Sequence, residues 1–147
     1  MANESEIIQF LKMTNNELNT EGKIFRAACG IFLLYGYHGT KLRQIASLAG
    51  VQTSLIHYYF RSKERLYELV VKLTLDLVLN TDCDSSPGKE ILENPTRFFC
   101  IELYNNQSLF EQTLKHLYMD DWVIKFDDLK NKLEFHGLSG ITDFNSF

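Results

Sequence analysis

Apolar residues recur at intervals of three and four from the twenties onward: Ile24, Phe25, Ala28, Ile31, Phe32 and Tyr35. That is the period of one face of an α-helix. Thr20 is placed to cap this helix and Gly36 to stop it. A short turn, Tyr37-His38-Gly39-Thr40, follows, and Thr40 is expected to cap a second helix over residues 41–49. The inward face of that helix is Leu42, Ile45, Ala46 and Ala49. Gly50 breaks it, because glycine takes the left-handed conformation that a sharp turn between helices requires. Val51 fills the angle, and Gln52 or Thr53 opens a third, short helix through Tyr59, with Ile56 and Tyr59 facing inward. Two short helices joined by a glycine-containing turn make a helix-turn-helix unit.

Residues 60–64, Phe60-Arg61-Ser62-Lys63-Glu64, are expected to turn the chain, with Ser62 capping a fourth helix to Asn80. Its stripe is Leu66, Leu69, Val70, Leu73, Leu77 and Val78. Residues 81–94 (TDCDSSPGKEILEN) are polar and turn-rich, and form the one convincing internal boundary. Asn94-Pro95 suits the start of the next helix, since Asn caps and Pro fits the first helical position. Phe98, Phe99, Ile101, Leu103 and Tyr104 follow, then Leu109, Phe110, Leu114, Leu117 and Tyr118. A last helix is expected over residues 120–136, with Asp120 and Asp121 suited to its start and Gly137 to its end. No stretch alternates as a strand does and nothing repeats. The expected fold is all-α: an arm (1–19), a three-helix helix-turn-helix domain with a connecting helix (20–80), and a short helical C-terminal domain (81–147).

Hydrophobic residues make up 45% of the 147 positions and charged residues 23%, a globular composition. No apolar run reaches the roughly 18 residues needed to span a bilayer, and the polar start is unlike a signal peptide, so no membrane association and a cytoplasmic location are expected. Cys29, Cys83 and Cys100 are widely spaced, and Cys29 lies among apolar helix residues, where a buried inert thiol is expected. His38, His57, His116 and His136 have no ligand-type partners at helical spacing, so neither metal nor any other cofactor is expected.

The net charge of −4 conceals an asymmetry. Residues 20–80 carry eight Lys or Arg against four acids, whereas the remainder carries seven against fifteen. The 42 residues 22–63 contain no acid, but six Lys or Arg and two His. The local field, not the net charge, decides whether a phosphate backbone can approach.

In a helix-turn-helix the second helix enters the major groove and its outward residues near the N-terminus reach base edges. Here those are Thr53, Ser54, His57 and Tyr58, opposite Ile56 and Tyr59. Arg43 projects from the preceding helix away from Ile45 and Ala46, and a guanidinium there can pair bidentately with guanine. Thr40 sits at a helix start, where free backbone N–H groups bind phosphate, and Lys63 offers a second phosphate clamp. Taken singly, Thr40 is also explained as a cap, and Arg43 and Lys63 as solvated side chains; their convergence on one helix pair favours DNA.

Residues 24–70 resemble the DNA-binding domain of the tetracycline-repressor (TetR) family. The resemblance rests on Ala27-Ala28, Phe32, Gly36-Tyr37, Thr40, Ile45-Ala46, Ala49-Gly50-Val51, Tyr58-Tyr59-Phe60 and Ser62-Lys63-Glu64. It implies a regulator, typically a repressor, that binds a palindromic operator in double-stranded DNA as a homodimer. It would place Thr40, His57 and Lys63 on phosphates, and Arg43, Thr53, Ser54 and Tyr58 on the base-reading surface. Lys41, Gln52 and His57 belong to the same surface but stand where the family usually has a hydroxyl residue, serine and tyrosine. An imidazole can still reach phosphate, in a contact that strengthens when the ring is protonated.

Family members usually continue for some six further helices, and 67 residues after Asn80 leave room for three at most. Their aromatics (Phe98, Phe99, Tyr104, Phe110, Tyr118, Trp122, Phe126 and Phe135) suit a core and dimer face better than a pocket for a small apolar effector, although such an effector stays open. Phe144 and Phe147 are candidates for docking on a partner subunit. An adaptor or anti-repressor that keeps the helix-turn-helix for structure is the alternative function. An enzyme is not expected: the pairs Asp120-Asp121 and Asp127-Asp128 share a helix face without a histidine or phosphate-binding loop to make them catalytic.

Overall fold

The computed structural model describes residues 17–80 and 86–135. Most of the N-terminal arm, Cys83, His136, Gly137, Phe144 and Phe147 lie outside the described residues, as do the expectations placed on them. Among the described residues the secondary structure is helical, without strands. None of their helices is long and apolar enough to cross a membrane. The chain divides into two compact units, residues 1–73 and 74–147, and the division falls within the connecting helix rather than after it.

In the first unit, α1 spans Thr20–Gly39. Its cap is Asn19, one residue before the expected Thr20: the Asn19 Oδ1 accepts from the Gly22 N–H at 2.8 Å. Gly36 does not end α1 but kinks it, with φ 73° and ψ −178°. That backbone region is open essentially to glycine alone. Before the kink, Ile24, Ala27, Ala28, Cys29 and Phe32 are buried, whereas Tyr35, expected on the same stripe, is exposed.

The helix α2 is Leu42–Ala49 and packs against α1 through Ile45, Ala46 and Ala49. Its cap is Lys41 rather than Thr40, with the Lys41 N–H donating to Gln44 Oε1 at 2.8 Å. Gly50 takes the expected left-handed conformation, φ 73° and ψ 34°, and Val51 N–H returns to Ala46 O at 3.0 Å. The helix α3, Thr53–Phe60, runs one residue past its expected end. It is anchored by Ile56 and Phe60, one helical turn apart, while Tyr59 falls to the flank and is 38% exposed, contrary to expectation. Phe60 stacks on Phe25 at 6.2 Å between ring centroids.

Arg61, at φ 75°, turns the chain into α4, Lys63–Asn80. Ser62 caps it as expected, its Oγ accepting from the Arg65 N–H at 3.1 Å. Leu66, Val70, Leu77 and Val78 are buried as the stripe predicts, but Tyr67, Val71 and Leu75 are buried too, and Leu69 and Leu73 only partly. A helix buried on more than one side shows no single clean stripe.

The second unit contains the remaining helices described. The helix α5, Ser86–Asn105, begins inside the stretch expected to be a boundary, so Pro95 lies within the helix and does not open it. Pro87 stands in its first turn, where a missing N–H costs nothing. Asn106, at φ −139° and ψ 39°, separates α5 from α6, Gln107–Tyr118. Asp120 and Asp121 form a 3-10 turn, Met119–Asp121, and α7 begins only at Trp122, running over Trp122–Phe135. Phe98, Phe99, Leu103, Phe110, Leu114, Leu129 and Leu133 are buried. Phe99 meets Phe98 at 5.2 Å and Phe110 at 5.6 Å, so these three rings are core, while Tyr104 is exposed.

Candidate nucleic-acid interface

With α3 held by Ile56 and Phe60, its opposite side is free. Ser54, His57 and Tyr58 are exposed there, Tyr58 to 71%, and Thr53 is half-buried. Lys41, Arg43 and Gln52 are exposed beside them at the start of α2 and just before α3. Gln52 makes no side-chain cap, so the first N–H groups of α3 have no side-chain acceptor of their own. The His57 Nδ1 lies 3.4 Å from the Arg61 carbonyl oxygen, which orients the ring when that nitrogen carries the proton. The surface thus offers a guanidinium, an ammonium, hydroxyls and an amide, without a carboxylate anywhere in residues 22–63. Those are the donors that phosphates and base edges accept.

Thr40 is placed differently from the rest. It is 2% exposed, and its hydroxyl donates inward to Gly36 O at 2.7 Å. Its own N–H donates to Tyr37 O at 3.4 Å. The hydroxyl therefore ties the strained Gly36 corner to the start of α2, and its proton does not point to the surface. As a side chain, Thr40 supports the interface from beneath.

Lys63 is partly buried, and its Nζ lies over the Tyr37 ring, 4.3 Å from the centroid. The Tyr37 hydroxyl donates to Glu64 Oε1 at 2.9 Å. Burial raises the Tyr37 phenol to about 12, and the neighbouring Glu64 adds to the effect. Glu64 is held below the usual carboxylate range, first by its backbone hydrogen bond and then by Tyr37, with help from Ser62 and Lys63. Partial burial lowers Lys63, while the Glu64 charge works the other way. Tyr37 is itself fixed, its ring edge-on to Tyr67 at 5.0 Å, and Tyr67 meets Phe32 at 5.4 Å. Sequence reading placed Tyr37 in a turn and did not connect it with Glu64, 27 residues away. A tyrosine next to the kinking glycine was the only available signal.

Among the described residues there is no cluster of three or more metal-ligand side chains. Asp120, Asp121, Asp127 and Asp128 are all exposed. Cys29 is buried as expected, and loss of solvation pushes its thiol up to about 12, which disfavours the reactive thiolate.

The fold and this face define a helix-turn-helix protein. Residues 24–70 match the family described as bacterial regulatory proteins, tetR family. Over this segment, about a third of the chain, the sequence is similar to the DNA-binding part of TetR-family regulators. It is similar to the HTH-type transcriptional regulator RutR of Escherichia coli K12, 42% identical over 78 residues, covering 46% of this chain and 37% of that protein. It is also similar to the HTH-type transcriptional repressor NicS of Pseudomonas putida KT2440, 38% identical over 53 residues, covering 36% of this chain and 25% of that protein. The chain thus spans little more than a third of the length of the first of these relatives and a quarter of the second.

Proposed function

We propose that this protein is a sequence-specific DNA-binding transcriptional regulator, a repressor that grips a palindromic operator as a homodimer. The observation that carries the reading is the exposed face of α2 and α3. It gathers Lys41, Arg43, Gln52, Ser54, His57 and Tyr58, with Thr53 at its edge, inside a span of 42 residues without an acid. Arg43, Thr53, Ser54 and Tyr58 read bases. Lys41, Gln52, His57 and Lys63 hold the flanking phosphates and thereby fix the register.

In a dimer the two recognition helices enter successive major grooves about 34–36 Å apart. An effector, if one acts, does so through different affinities for arrangements that fit and do not fit that spacing. Exposed Tyr104, Met119, Val123 and Ile124 give the second unit apolar surface suited to a second copy.

Salt dependence tests the reading. With 6–10 phosphate contacts per dimer, affinity for duplex DNA falls by about a thousandfold or more between about 50 and 200 mM salt. Fluorescence anisotropy with a labelled duplex measures this directly. Binding that is absent at low salt, or indifferent to salt, overturns the proposal.

A further inference from the structure

We propose that Tyr37 and Glu64 are positioning residues that hold the Lys63 ammonium in place for a DNA phosphate, before DNA arrives. The inference rests on the DNA-binding reading above and adds to it a function for two residues outside the recognition face.

The geometry brings both charges to one ring. Lys63 and Glu64 are adjacent at the start of α4, and helix neighbours point to different faces. The Glu64 carboxylate accepts from the Tyr37 hydroxyl at 2.9 Å. Lys63 instead rests on the face of the same ring at 4.3 Å, where the ring's electron density attracts the cation without supplying a hydrogen-bond acceptor. Among the described residues Lys63 forms no ion pair. Its N–H donors therefore remain available to an oxygen arriving from solvent.

The ring is well braced. Tyr37 follows the Gly36 kink and packs edge-on against Tyr67 and His38, at 5.0 and 5.2 Å. One tyrosine thus uses its hydroxyl to occupy the acid and its face to order the base. Ordering a long side chain at the moment of binding is unfavourable, and a side chain already ordered escapes that cost. The expected benefit is about two- to tenfold in affinity per Lys63–phosphate contact.

The test is a double-mutant cycle on the full chain, with a labelled mixed-sequence 30-base-pair duplex as probe, at low salt. Tyr37→Leu removes ring and hydroxyl, Lys63→Ala removes the charge, and Tyr37→Phe leaves the ring but frees Glu64. Melting curves of every variant accompany the titrations. The proposal expects Tyr37→Leu to weaken binding by about two- to tenfold when Lys63 is present and to have no effect in the Lys63→Ala background. It expects Tyr37→Phe to weaken binding less than Tyr37→Leu, through the freed carboxylate. Equal weakening by Tyr37→Leu in both backgrounds means a purely structural role and overturns the inference. So does a Lys63→Ala variant that binds like the parent. If the parent itself fails to bind the duplex, the DNA-binding reading falls, a result distinct from either.

Discussion

Replacing Thr40 by valine separates two roles that the sequence alone leaves fused. Valine keeps the shape of threonine and removes the hydroxyl. In the structure that hydroxyl is buried and donates to Gly36 O at 2.7 Å, pinning a backbone corner that only glycine accommodates. Losing the donor leaves a buried carbonyl short of a partner, at a cost of about 1–3 kcal/mol. For a unit of 60–100 residues this corresponds to about 4–8 °C in Tm for each kcal/mol. The protein that remains folded keeps the exposed side chains of α2 and α3 in place, so its DNA affinity stays within about twofold, under 0.5 kcal/mol. Circular dichroism melting and anisotropy titration well below the Tm measure the two quantities separately. An unchanged Tm with affinity reduced tenfold or more would falsify the assignment and return the Thr40 hydroxyl to the phosphate role that family resemblance implied.

Further outcomes follow from the same geometry. Gly36→Ala places a Cβ on a residue at φ 73° and ψ −178° and should cost about 1–3 kcal/mol, read from urea denaturation. Ile56→Ala removes one of the two buried anchors of α3, at about 2–5 kcal/mol, and loss of DNA binding should accompany it; a variant that keeps parental stability refutes the anchoring. In a Cys83→Ser background, Cys29 and Cys100, with thiols raised to about 12 and about 11, should resist a thiol reagent near neutral pH until denaturant is added. Rapid labelling of the folded protein contradicts their burial. The Tyr37 phenol is raised to about 12, so its contribution to stability is complete below about pH 10 and falls away as the pH rises through about 12. The urea midpoint should drop over that interval less steeply in Tyr37→Phe than in the parent; parallel curves exclude the Tyr37 contribution.

What the sequence disclosed was whatever is written locally. The helical period of residues 24–32, the glycine at position 50 and the serine cap at position 62 each depend on near neighbours, and the structure has them as expected. Expectations failed where a longer-range interaction competed with a local signal. Thr40 suits a cap, but the carbonyl of kinked Gly36 takes its hydroxyl, and Lys41 becomes the cap. Tyr59 suits the inner face by spacing, but Phe60 finds Phe25 and turns Tyr59 outward. Pro95 is a good helix opener, yet α5 has already begun at Ser86. The exposed face of α2 and α3 was legible because an amphipathic helix declares both its sides. The arrangement of Lys63, Tyr37 and Glu64 was not, because nothing along the chain connects a turn tyrosine with a carboxylate 27 residues later.

The central claim, sequence-specific DNA binding by the face of α2 and α3, is tested most directly by selecting bound duplexes from a random-sequence pool at low salt. A variant carrying both Arg43→Ala and Lys63→Ala serves as the control. The account predicts that the parent enriches a palindrome with half-sites one helical turn apart and that the variant fails to enrich it. Enrichment of a single half-site would keep specific binding and remove the homodimer. A pool left unenriched by the parent, or enriched equally by both proteins, would contradict the account.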